Sequence, residues 1–128
     1  MSRLYIHLML LAACLALVGC GEDSAVVWQA HVKSPNGHYQ VNVATIQQGG
    51  PGNAALYTLV KLSQREDGDG IDIVDLSHNR MDEIAGGPVK VVWLDDANLR
   101  IEYVASSHVN FQAIKAAAVA IETLPMSK

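Results

Sequence analysis

The chain has 128 residues, half of them hydrophobic, a formal net charge of −4 and two cysteines. That length suits a single domain with a modest core. No Lys/Arg cluster occurs, so the counterion release that drives nucleic-acid binding has no source, and no nucleic acid is expected as a partner. The cysteines stand at positions 14 and 20, so everything after Cys20 is expected to have no disulfide and no thiolate metal site.

Met1-Ser2-Arg3 gives the chain a positive start, and Leu4–Val18 follows as an apolar run broken only by His7. The run is about fifteen residues long, where a membrane-spanning helix needs about 20, so the spacing predicts a secretion signal rather than a span. Leu17-Val18-Gly19-Cys20 closes it and resembles the lipobox of bacterial lipoproteins. The chemistry fits those residue types. The thiol of Cys20 accepts a diacylglyceryl group as a thioether. A small residue, Gly19, lets a signal peptidase reach the Gly19–Cys20 bond, and the new amino group can then be acylated. Two or three chains hold a protein where one gives only marginal binding. The predicted organisation is a signal over 1–19, a lipidated tether over 20–25 and one domain over 26–125. Removing Arg3, the leader's one charge, takes the net charge from −4 to −5, so attachment must come from lipid rather than a basic patch.

Period-two alternation dominates from Val26 onward. Trp28, Ala30 and Val32 share one face of a first strand, and Tyr39, Val41 and Val43 one face of a second. Ser34-Pro35-Asn36-Gly37 lies between them as a hairpin turn. Pro35 favours a type I turn with a Gly bulge, while pairing the two apolar faces favours a two-residue Asn36-Gly37 turn; the sequence leaves both open. Gln47–Asn53 reads as a loop, Leu56, Thr58, Val60 and Leu62 as a third strand, Gln64–Gly70 as an exposed acidic loop, and Ile71–Leu76 as a short fourth strand. After a long polar connection over Ser77–Pro88, Val89, Val91 and Trp93 pair with Leu99, Ile101 and Tyr103 across the turn Asp95-Asp96-Ala97-Asn98. Phe111, Ile114, Ala118 and Ile121 have helical spacing, yet Val109/Phe111 and Val119/Ile121 alternate. Strands are the preferred reading there, with a C-terminal helix over Phe111–Ile121 as the alternative. The expected fold is mostly β: a small antiparallel sheet, meander or sandwich.

Few residues suggest chemistry. Asp67 and Asp69 fall on calcium-loop positions when Gly70 is taken as the turn glycine, but Arg65 and Leu76 occupy the first and closing ligand positions, so a solvated acidic loop is preferred. His31, His38, His78 and His108 form no ligand spacing and are read as surface histidines, with His31 and His38 placed to meet across the first hairpin. Asp75, Ser77, His78 and Asp82 are residue types of a hydrolytic triad, without a nucleophile elbow. Gly49-Gly50-Pro51-Gly52 lacks the Lys-Ser/Thr of a phosphate loop. Trp28 and Trp93 are expected to pack on the core. No cofactor and no catalytic residue are expected.

Three segments together carry a resemblance: Ser34-Pro35-Asn36-Gly37-His38-Tyr39, the Gly49-Gly50 loop into Tyr57–Leu62, and Trp93-Leu94-Asp95-Asp96 with Leu99-Arg100-Ile101-Glu102-Tyr103. They resemble a loose group of small bacterial lipoproteins and membrane-tethered proteins whose pattern is Ser-Pro-Asp-Gly-Lys-Tyr early and Trp-x-Asp with Leu-x-Ile-x-Tyr late. Asn36 and His38 depart from that pattern. The resemblance implies a small β-rich fold in the cell envelope and transfers no catalytic residues. The expected function is therefore a non-enzymatic binding or structural role, held to a membrane by lipid. The alternative is an immunity or inhibitor lipoprotein that holds a secreted toxin or hydrolase. Gly21, rather than Asp, after the cysteine favours the periplasmic face of the outer membrane if the host is Gram-negative.

Overall fold

The computed structural model describes residues 23–49, 55–64 and 69–127. The signal segment, the cleavage pair Gly19 and Cys20, and Asp67 lie outside the described residues. Among the described residues nine strands are formed: β1 (Ser24–Lys33), β2 (Gln40–Gln48), β3 (Ala55–Ser63), β4 (Ile71–His78), β5 (Val89–Trp93), β6 (Asn98–Tyr103), β7 (His108–Gln112), β8 (Lys115–Ala116) and β9 (Val119–Pro125). One turn of 3-10 helix, Met81–Ile84, sits in the β4–β5 connection.

The strands make two sheets, one in the order β1-β2-β3-β4-β7 and one in the order β5-β6-β9-β8. All pairings are antiparallel except β6 with β9. A single core joins them. Val41 and Val43 of β2, Val60 and Leu62 of β3 and Ile73, Val74 and Leu76 of β4 pack with Val89, Leu99, Ile101, Val119 and Ile121 of the second sheet. Alternation explains this directly. Successive strand residues face opposite sides, so an every-second-residue apolar pattern buries one face of each sheet. Trp28 and Trp93 pack against this core half-buried, as their strand faces predict.

The first hairpin has the register that its apolar faces demand, Val32 opposite Val41 and Ala30 opposite Val43. It is closed through Pro35. The Gly37 amide donates to the Ser34 carbonyl, and Gly37 takes φ +74°. The type I turn with a following glycine therefore serves both demands, because the loop spans four residues between Ser34 and Tyr39 rather than two.

The C-terminal helix over Phe111–Ile121 does not form. That segment is β7, β8 and the start of β9. The helical stripe would have buried Phe111 and Ile114, but these are 50% and 82% exposed. Val119 and Ile121 fill the core instead, as the alternation over β9 requires. Ala120 and Ile121 pair with Asn98 and Leu99 of β6, which gives the four-stranded sheet its backbone partners and outweighs local alanine propensity.

The pairings fix two ends of the molecule. Ser24 lies opposite Gln48, Leu56 opposite His78, Ser77 opposite His108 and Val89 opposite Tyr103. The start of β1, the 79–88 crossover, the 104–107 turn and the end of β9 thus share one end, here the amino end. The 34–39, 94–97 and 113–118 turns share the other, the turn end, with the end of β3 at Ser63 and the start of β4 at Ile71.

Ala117 opens the tight β8–β9 turn with φ 50°, where residues lacking a Cβ are favoured. Ala117→Gly is expected to raise stability by about 0.5–1 kcal/mol. A urea midpoint shifted upward at unchanged slope checks it.

Candidate functional site

Thr45 and Thr58 occupy core-facing positions of β2 and β3 and are fully buried. They lie directly opposite each other, and their hydroxyls are 2.7 Å apart. The Thr58 hydroxyl is also 2.6 Å from Nε2 of His78, whose Nδ1 is 2.9 Å from Oγ of Ser107. A continuous polar chain therefore crosses the first sheet from β2 to the end of β4 and on to the 104–107 turn. His78 is buried, which corrects the surface reading of this residue. Its position two residues beyond Leu76 keeps it on the core-facing side. Burial pushes its imidazole below the ordinary value near 6.5, with the Glu83 carboxylate pulling it partly back. In the neutral ring one nitrogen donates and the other accepts, and both are satisfied.

The other candidates separate. Ser77 faces the opposite side of β4, where Asn110 Nδ2 donates to its hydroxyl and to Asp75. Asp82 forms an ion pair with Arg80. Asp75, Ser77, His78 and Asp82 are thus not brought together, and the nitrogens of His78 are engaged by Thr58 and Ser107. His31 and His38 do not meet. His31 Nδ1 bonds Asn42 Oδ1 at 2.7 Å across the β1–β2 pair, and His38 is exposed in the turn. His108 is also exposed. Asp69 is exposed, and no group of three or more His, Cys, Asp or Glu side chains suited to a metal occurs among the described residues.

The turn end brings together residues that are far apart in sequence. The backbone amide of Asn36 donates to Asp96 Oδ1 at 2.8 Å. Tyr39 stacks on Trp93 with ring centroids 6.4 Å apart, and the Trp93 indole donates to the Val32 carbonyl at 3.4 Å. Ser34 is buried: its hydroxyl accepts from the Tyr39 amide and donates to Asn36 Oδ1. Asp95 accepts from the Ala97 amide and from the Asn98 side chain, which hold its carboxyl below the usual range. The Ser-Pro-Asn-Gly and Trp-Leu-Asp-Asp segments are therefore two interlocked turns. Beside them lies a depression of about 460 Å³ bordered by Tyr39, Ser63, Asp69, Ile71 and Ala117. A second of about 330 Å³ shares Tyr39 and adds Asn36 and His38.

Comparison with protein-family models, with curated proteins and with solved structures finds no match for this chain.

Two results are expected of the polar chain. Thr58→Val keeps the shape but strips a partner from both Thr45 and His78, and should cost about 1–3 kcal/mol by urea unfolding. Acid should also weaken the fold through His78. Its folded value lies below its unfolded one, so from about pH 6.5 downward the unfolded chain takes up a proton that the folded chain refuses. Stability should fall through that window until the folded value is reached. Urea midpoints measured between about pH 7 and 5 should slope less in His78→Gln than in the wild type.

Proposed function

We propose that the protein is a bacterial lipoprotein: cleaved before Cys20, acylated there, and serving a non-enzymatic binding or structural role in the cell envelope. The observation that carries this is the run Leu17-Val18-Gly19-Cys20 at the end of an apolar leader, with three residues between it and the start of β1 at Ser24. Because β1 begins at Ser24, the tether expected over 20–25 is shortened to Cys20 and the small, polar Gly21-Glu22-Asp23. β1 carries the chain away from the lipid for about 30 Å, at roughly 3.3 Å per residue. The two interlocked turns and their depressions stand at that remote end, which supports the turn end as the surface offered to a partner. The buried placement of His78, and the turning of Ser77 away from it, favour binding over hydrolysis.

The test is made in a bacterial host fed a labelled fatty acid. The wild-type precursor should incorporate label and be processed to a chain beginning at Cys20. Cys20→Ser should take up no label, stay unprocessed at the Gly19–Cys20 bond and lose lipid-dependent membrane retention. Normal processing of Cys20→Ser would overturn the proposal.

A further inference from the structure

We propose that the amino end of the domain seats on the bilayer through Val26, Val27 and Met81, so that the protein stands end-on. This rests on the reading of Cys20 as lipidated. Apart from Phe111 on the outer face of the five-stranded sheet, the exposed large apolar residues among the described residues sort into two groups. Val26 (57% exposed), Val27 (38%) and Met81 (51%) lie at the amino end, whereas Ile71, Leu94 and Ile114 lie at the turn end. β1 is the edge strand of its sheet, and its first four residues, Ser24 to Val27, are all exposed, so both valines face solvent beside the register slip between Val26 and Trp28.

The occupant follows from the length of chain ahead of β1. Four residue steps separate Cys20 from Ser24, which reach at most about 14 Å. An acylated Cys20 thus holds this end beside the headgroups and raises the effective concentration of the surface that the apolar side chains meet. Charge points to the same kind of contact. The chain is net negative, the amino-end cations Arg80 and Lys90 are paired with Asp82 and Glu102, and Asp23 and Glu83 add further carboxylates there, so the attraction is apolar and suits an uncharged lipid surface. Lying flat on the outer face of the five-stranded sheet is the competing arrangement. That face also has apolar residues, among them Leu59 and Phe111, but Asp75 lies opposite both. Lys61 and Asp72 form an ion pair on the same face at 3.4 Å. Pressing the whole face onto lipid would strip water from these charges, whereas an end-on seat needs the Arg80–Asp82 pair beside Met81 to reach only the headgroup layer.

The experiment uses the lipid-bearing protein made from the full precursor in a bacterial host and reconstituted into phosphatidylcholine vesicles. A cysteine is placed singly by Met81→Cys, Leu94→Cys or Phe111→Cys and labelled with an environment-sensitive dye. The thioether at Cys20 does not react. Nitroxide on the lipid headgroups should quench the dye at position 81 at least about twofold more than at 94 or 111, and adding Val26→Ser with Val27→Ser should remove most of that difference. Quenching strongest at 111 would mean that the sheet lies flat. A blue shift at 81 without quenching would mean that protein covers this end. Equal quenching at 81 and 94 would mean no preferred orientation. Each overturns the seating while vesicle flotation still shows the anchor. Protein that fails to float with vesicles overturns the lipid reading itself, and the seating with it.

Discussion

Everything in this molecule depends on burying one alternating face of β2, β3 and β4 against β6 and β9. Neither sheet has another place to put its apolar side. With no cysteine after Cys20, this shared core must supply the driving force. It also makes the two sheets one body, so the positions of the strand ends follow from the pairing register. That rigidity gives the amino end and the turn end distinct identities.

Much of this was legible in the sequence because strands of period two announce their faces. Leu56, Thr58, Val60 and Leu62 were readable as one side of a strand, and all four are buried. The Val89–Trp93 and Leu99–Tyr103 hairpin was equally plain, since a turn rich in Asp and Asn separates two alternating runs. The C-terminal segment was ambiguous for a physical reason. Phe111 and Ile121 belong both to a helical stripe with Ile114 and Ala118 and to the alternating pairs Val109/Phe111 and Val119/Ile121, and only the pairing with β6 decides between them. The hairpin turn likewise needed the structure, because a two-residue and a four-residue loop give the same register.

The buried polar chain escaped the sequence reading, although a signal for it existed. Thr45 continues the parity of Val41 and Val43, Thr58 sits between Leu56 and Val60, and His78 follows Leu76 by two. Polar groups on core-facing positions must find partners, and here they find one another. Considered singly, His78 looked like a strand-edge histidine, and its partner Ser107 is 29 residues away. The interlock of Asn36 with Asp96 was hidden in the same way. Two turn motifs were visible, but not that one backbone amide would bind the other's carboxylate across 60 residues.

The picture that results is of a small rigid β body with chemistry-poor walls, a proposed lipid at one end and two locked turns at the other. The most direct measurement of it is height. With a donor dye near the 34–37 turn of the vesicle-bound protein and acceptor lipids in the outer leaflet, energy transfer should place that turn about 30 Å above the surface, the length of β1. A turn found at the headgroups, or a protein that never joins the vesicle, would contradict the account.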